Sequence, residues 1–498
     1  MSIDFKLHIR HLVTALLLLP LLCACSSEDD ATDVTPMIAT ANDYINLNFV
    51  VSTGEENVMR APSGDEDGDG REVGSKSENA VEGITLMLYQ DDAGINTKST
   101  TTTIAYAKYF PVTLSYRNNS VGSEITGTNK DEAVYTTGDQ SLGNSQLDLT
   151  NKYYAIVVAN LNLTSLQGKT VQEVRDHLVT SLYEGAEVGN DAWSFVMSLE
   201  RDVELDFTNT ASKVTTTSGK TYYTFDDIYI ERLAARVDFW TQDADYNETL
   251  KGYEYKVYTD ASATELSKDK FVLTGITPFN LLTSGEYLIK RTNDASNPYL
   301  AQETSTNYVK DPKWVDNPTY TYANPLSGLE IKSTLKDVTP YYQSTEMLHG
   351  NNARKASFAG DGDKENFILC YPMENTLKSD FSLYSYATGL AIEGDYYEEG
   401  WDLETETPNP KIKHLVYYGY LRHQGENSTG SYPIYSKDDL SKNQTAGSAN
   451  TAMNFGVVRN NIYRVSIGTI TEKRESPGIT LRIMVKNWDT FTHDVIYM

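Results

Sequence analysis

Residues 43–51 read DYINLNFVV, with Ile45, Leu47, Phe49 and Val51 alternating with polar Asn46 and Asn48. Successive side chains of a β-strand point to opposite faces, so this period of two describes a strand with one face on a core. The same pattern recurs outward along the chain. Ile84, Leu86 and Leu88 alternate close to Tyr89, Val237 and Phe239 follow Arg236, and Ile479, Leu481, Ile483 and Val485 alternate with Thr480, Arg482 and Lys486. Tyr is abundant, at 35 residues, and short apolar runs sit between Asn, Gly, Asp and Ser turns. Aromatic and β-branched residues fit a half-buried pleated surface, so the expectation is an all-β chain of antiparallel sheets. One segment departs from it. Residues 170–182, TVQEVRDHLVTSL, carry Val171, Val174, Leu178 and Leu182 at helical spacing, which predicts one short amphipathic helix covering a sheet. Residues 210–220, 290–325 and 425–450, rich in Ser, Thr, Asn and Gly, read as surface loops.

Upstream of the first strand the composition changes. Lys6 and Arg10 precede an apolar run from Leu12 to Leu22, which has the length of a signal peptide and is too short to span a bilayer. Leu22, Cys23 and Ala24 before Cys25 resemble the bacterial lipobox, in which the cysteine thiol is diacylated and becomes the new N-terminus. Cys23 lacks a small residue before it, so Cys25 is the expected lipidation site. Ser26, Ser27, Glu28, Asp29 and Asp30 look like the acidic signal that carries lipoproteins to the outer face of certain Gram-negative anaerobes. No later run is long and apolar enough for a membrane helix, so any tether is the lipid, palmitate included.

The 498-residue chain carries a formal charge of −27, from 69 acidic and 42 basic residues. Such a field repels phosphate backbones and argues against a nucleic-acid partner. Beyond the leader only Cys370, in FILCYP, remains, so the mature chain has no internal disulfide framework, and Cys370 reads as a small buried hydrophobe. His177, His349, His414, His423 and His493 are scattered, with no metal-binding spacing, and glycine-rich phosphate loops are missing. Acidic pairs such as Glu398-Glu399 are expected by chance in so acidic a chain, and a carboxylate separation cannot be read from sequence. Trp193, Trp240, Trp314, Trp401 and Trp488 suit sheet cores and edges as well as a glycan platform. The expectation is a protein that is no enzyme and holds no cofactor.

Between the strand at 43–51 and the next alternation lie two arginines and an acidic run. Arg60 precedes Ala61-Pro62-Ser63, and Arg71 follows DEDGDG. Asp65, Asp67 and Asp69, with Gly70, match the first half of a calcium loop, but position twelve is Lys76 and no helices flank it. A solvated acidic linker is the simpler reading, with weak calcium binding at Asp65, Asp67 and Asp69 as the alternative.

These features together resemble the major fimbrial subunit (fimbrillin) family of type V pili. The resemblance rests on the lipobox, the strand near residue 45, Arg60-Ala61, and ENAVEGITLMLYQ at 78–90. It continues through YYAIVVAN at 153–160, GKTVQEVRDHL at 168–178, ERLAARVDFW at 231–240, FVLTGITPFN at 271–280, CYPMEN at 370–375 and FGVVRNNIYRVSIGTI at 455–470. What it implies is a lipidated precursor on the outer membrane surface, cut after an arginine by a trypsin-like protease. The released N-terminal strand leaves a groove, and a C-terminal strand of another copy, or of a related pilin subunit, fills it. Ile45, Leu47, Phe49 and Val51 would form the temporary strand. Arg60 with Ala61 resembles the family's junction, with Arg71 as the alternative site. The donor row would be Phe491, His493, Val495 and Tyr497, or Ile479, Leu481, Ile483 and Val485. The implied organisation is a signal peptide at 1–25, a propeptide at 26–60, and two transthyretin-like β-sandwich domains at 61–240 and 241–498, the second ending in the donor tail. The matured chain would be extracellular and support adhesion. A pilus tip adhesin, an anchor subunit or a glycan-binding surface lipoprotein would share much of this sequence pattern.

Overall fold

A computed structural model describes residues 35–51, 71–73, 78–91, 99–117, 131–179, 183–185, 193–199, 202–286, 321–329, 334–337, 340–356, 364–376, 386–398, 412–423, 429–444, 456–472, 477–489 and 492–493. The fold is all-β. Two large sheets of 12 strands each carry it, and the described α-helices are the short segments Val171–Arg175, Leu326–Leu329 and Thr345–Gly350. Among the described residues no helix is long and apolar enough to cross a membrane.

The first sheet runs in space Asp131–Thr136, Asp43–Val51, Thr221–Arg232, Met197–Leu199, Lys152–Ala159, Gly83–Tyr89, Tyr106–Pro111, and Thr492–His493 pairs with the start of Asp131–Thr136. Gly83–Tyr89 is buried on both faces, as its nearly unbroken apolar run GITLMLY requires. Its one polar residue, Thr85, is satisfied by donating to Leu161 O at 2.6 Å. The second sheet runs Arg71–Val73, Gly478–Asp489, Asn461–Thr471, Gly252–Tyr258, Leu266–Phe279, Gly389–Tyr397, Ile412–Tyr420. One core serves it and unites Ile479 and Leu481 from one flank with Ile392 and Tyr417 from the other. A separate core serves the first sheet.

The chain passes from the first sheet to the second at Leu233–Ala235. Arg236–Trp240 lies parallel to Asn461–Thr471 and antiparallel to Asn366–Cys370 in the second sheet. A strand's alternation names its faces and not its partner, so the sheet to which Arg236–Trp240 belongs is set by these long-range pairings. The helix is also shorter than its spacing predicts. Thr170 caps it in a reciprocal capping box with Glu173, and Val171 and Val174 are buried, but the helix ends at Arg175. Leu178–Val179 is drawn instead into a ladder with Gly285–Glu286. Within the stretches read as loops, Lys213–Thr215 pairs with Thr221–Tyr223, and Thr429–Ile434 pairs along Gly478–Asp489. Gly430 and Pro433 mask the latter as a strand, and Pro433 is tolerated opposite Thr480 because the segment lies at an edge. Cys370 is partly buried, and burial pushes its thiol up to about 12.

Candidate functional site

The strand Asp43–Val51 is not an edge strand. On one side it runs parallel to Thr221–Arg232, from Asp43 opposite Thr221 to Val51 opposite Ile230, with a bulge between Leu47 and Phe49. On the other it pairs antiparallel with Asp131–Thr136 and Gln140–Ser141. A parallel partner almost 180 positions downstream departs from the antiparallel expectation, because local alternation carries no information on strand direction.

Ile45, Leu47 and Phe49 have no exposed surface, and Val51 is 2% exposed. They share the first core with Tyr153, Phe207, Tyr223, Phe225, Ile228 and Ile230. Phe207 meets Tyr223 and Phe225 edge-on at 5.1 and 5.5 Å, an aromatic floor under the strand's sheet. The opposite face carries paired polar and aromatic groups beside buried Val50. Asn48 Nδ2 donates to Asp226 Oδ1 at 2.5 Å, Asn46 Nδ2 donates to Asp139 Oδ1 at 3.3 Å, and Tyr44 stacks on Tyr222 at 5.2 Å. Backbone bonds tie the segment before it as well: Ala39 N donates to Leu147 O and Leu149 N to Met37 O, both at 2.8 Å. Removing this segment would therefore leave two facing strand edges and an apolar trough between them.

The C-terminal residues reach the same place. Thr492 stands opposite Glu132 and His493 opposite Asp131, antiparallel to Asp131–Thr136. The far edge of that strand is taken by Thr113–Arg117, with Arg117 opposite Glu132, so Thr492 and His493 lie on the edge that Asp43–Val51 uses. Since Val50 is opposite Val134, Thr492 takes the second place beyond Val50 in the same lane and runs in the same direction.

Just before this point the chain is firmly held. Ile479, Leu481, Ile483 and Val485 are each 1–2% exposed in the second core. Their strand is covered on one edge by Asn461–Thr471 and on the other by Thr429–Ile434, then by Arg71–Val73, parallel, with Arg71 opposite Asn487. The contact of Arg71–Val73 with this strand had no signal in the sequence, because three residues are too few to show a period. Cys25, Arg60, Ala61, Asp65, Asp67, Asp69, Phe491, Val495 and Tyr497 lie outside the described residues.

Titratable clusters elsewhere are paired in ways that suit a scaffold. His414 bridges Asp395 at 2.7 Å and Glu393 at 2.8 Å, and these hydrogen bonds raise it to about 10. His349 Nδ1 lies 2.8 Å from Glu365, which Lys355 and Tyr253 also engage. Among the described residues no group of three or more His, Cys, Asp or Glu side chains is placed to hold a metal ion.

No family model matches the chain, and no curated protein matches it. Solved structures similar to it include a putative cell adhesion protein from Parabacteroides distasonis ATCC 8503, with a TM-score of 0.43 and 11% identity, covering 91% of this chain and 100% of that one. The fimbrilin FimA from Porphyromonas gingivalis W83 has a TM-score of 0.36 and 12% identity, covering 91% of this chain and 99% of that one. The tip fimbrial protein Mfa3 of Porphyromonas gingivalis, truncated at its C-terminus, has a TM-score of 0.36 and 9% identity, covering 89% and 99%.

Proposed function

We propose that this chain is the precursor of a surface filament subunit, exported as a lipoprotein through Cys25, trimmed after an arginine, and polymerised when the tail of one copy fills the groove of the next. The observation that carries this reading is the placement of Asp43–Val51. The strand is central to its sheet and fully buried on one face, yet a single cut in residues 52–70 separates it from the rest of the fold. At about 1.5–3 kcal/mol for each large apolar side chain, its row of four contributes roughly 6–12 kcal/mol of burial. A sheet that loses this strand needs a replacement with the same alternation, and main-chain pairing to two open edges is the mode that supplies it.

Two placements bear on the alternatives. Arg71 begins a strand laddered to Asn487–Asp489, whereas a protease needs an extended, unpaired backbone, which supports Arg60 with Ala61 as the junction. The row Ile479, Leu481, Ile483 and Val485 is already internal to the second core, which supports Phe491, His493, Val495 and Tyr497 as the donor. The proposed partners are further copies of the chain or related pilin subunits, a trypsin-like protease, and, before trimming, the outer membrane. In this reading residues 1–25 are the leader, 26–60 the propeptide, and two sandwich domains follow, parting near Leu233–Ala235.

Light trypsin treatment of the soluble precursor, followed by intact mass and negative-stain electron microscopy, tests the proposal. A product beginning at Ala61 that grows into rods is the expected result, and Arg60→Ala leaves an uncut monomer. A product that begins at Glu72 moves the junction to Arg71. A trimmed protein that stays monomeric removes the shaft-subunit reading in favour of an anchor, a tip adhesin or a glycan-binding lipoprotein.

A further inference from the structure

We infer that the precursor parks its own tail at the mouth of its own groove, in a register that prevents the tail from filling that groove. The inference rests on the filament reading above and concerns what the tail does before assembly. Thr492 and His493 follow Val51 in the lane beside Asp131–Thr136, pointing the same way. For the same copy to fill the places that Asp43–Val51 would vacate while keeping this register, the residues that precede Thr492 have to enter them. The places of Ile45, Leu47, Phe49 and Val51 would then be met by Val485, Asn487, Asp489 and Phe491.

That outcome fails twice. It sets an amide and a carboxylate against a fully apolar core, where an unpaired polar group is costly and a charge more so. It also pulls Val485 out of the second core, separates Asn487 from Asn461, and strips Asn487–Asp489 from Arg71–Val73. The tail of a second copy enters without that tether. In the parked lane His493 shares register parity with Phe49, since Asp131 and Tyr135, their opposite residues, are four positions apart on one strand. The row Phe491, His493, Val495 and Tyr497 thus has the parity of the row it replaces.

The root of the tail is held by Arg71–Val73, so the parked tail is gripped on both sides of residues 490–491. Parking keeps the donor from other grooves until it leaves Asp131–Glu132. This defines an interaction surface for a second copy: the edge of Asp131–Thr136 must release one tail and accept another.

A reversible covalent lock tests the inference. Residues directly opposite on antiparallel strands have Cα atoms ~4.5–5.5 Å apart, within the span of a disulfide. The precursor carrying Glu132→Cys with Thr492→Cys is oxidised, trimmed and followed by electron microscopy and light scattering. The expected result is a disulfide within one chain, normal trimming, no rods, and rods on adding reductant. Rods from the oxidised, trimmed protein at the reduced rate overturn the block. Absence of the intrachain disulfide, or disulfides only between copies, overturns the placement. Melting in reductant against the parent shows whether the variant folds, and Asp131→Cys with His493→Cys repeats the test one place along, read oxidised against reduced. If the unlocked parent, once trimmed, gives no rods, the filament reading fails, and the disulfide alone then judges the parked contact.

Discussion

On the filament reading, Leu47 is the residue whose environment would divide the precursor from the assembled state. It is fully buried, its N–H donates to Thr137 Oγ1 at 3.0 Å, and its carbonyl accepts from Thr137 N at 3.0 Å. Leu47→Ala keeps both backbone bonds and removes only side-chain volume, a change that costs ~2–5 kcal/mol in a packed core. Urea unfolding of the precursor is expected to show that loss, while filaments from the trimmed variant melt like the parent, because the residue has left with the propeptide. Equal destabilisation of both would mean that the strand stays in place. A second residue, Glu231, lies on the long strand Thr221–Arg232 that flanks Leu47, opposite Ser198. Burial, with a push from Glu374 that Arg459 and Arg232 oppose, raises its carboxyl from 4.5 to about 8. A folded value above the unfolded one means that this group's stabilisation is complete below pH 4.5 and is lost as pH rises through 8. Glu231→Gln is expected to flatten that fall by a few kcal/mol at most, since each tenfold change in proton affinity is worth ~1.4 kcal/mol. An unchanged pH profile in denaturant titrations from pH 4 to 9 would show that Glu231 ionises freely.

At the scale of elements, two alternating rows near the C-terminus have the same appearance in sequence and different positions in the fold. Ile483 is internal to a strand paired on both edges, so Ile483→Asp buries a lone carboxylate and is expected to unfold the second sheet. Val495→Asp, by contrast, is expected to leave the precursor's melting temperature unchanged and to abolish rods after trimming. Rods from the Val495→Asp protein would remove Phe491–Tyr497 as the donor. The alternation at 43–51 and 478–485 was legible because each row buries one face against one core, and a period of two records that directly. The strand Thr429–Ile434 was not, since an edge strand tolerates Gly430 and Pro433 and leaves no periodic trace. The helix was over-extended because Leu178 continues the helical spacing, while its actual partner, Glu286, lies more than 100 positions away. The groove has the same limit: its row can be read locally, whereas Thr221–Arg232, Asp131–Thr136 and the tail meet there only through long-range pairing.

Across the whole molecule, the filament reading requires that a chain which gave up a central strand keep its two sheets aligned. Residues 78–79, between the proposed cut and the strand Gly83–Tyr89, are wedged where the sheets meet. Glu78, 1% exposed, accepts from Tyr371 Oη at 2.6 Å and faces Arg236 at 3.4 Å. Arg236 also pairs with Asp238 at 2.7 Å, and Arg464 approaches the same carboxylate at 3.6 Å. Burial alone would raise Asp238, but the two guanidinium groups outweigh it and hold the carboxyl below its usual value. Arg232, at the end of the long strand of the first sheet, donates to Glu78 O at 2.8 Å and to Asn460 Oδ1 at 2.8 Å beside the second sheet, and it also bonds Asn79. The first sheet adds a bond from Tyr135 Oη to Asn79 O at 2.6 Å. Both sheets thus grip one short segment that a cut at Arg60 leaves in place. Removing one member of a buried ionic network costs ~3–5 kcal/mol, because its partners stay behind desolvated. Glu78→Ala is therefore expected to split the calorimetric melting of the precursor into two transitions, one per sheet, whereas Glu78→Gln, which keeps the bond to Tyr371, separates them less. One unshifted transition in Glu78→Ala would mean that apolar contacts across the junction, such as those of Met373 and Ile462 with the first core, hold the sheets together without the charges.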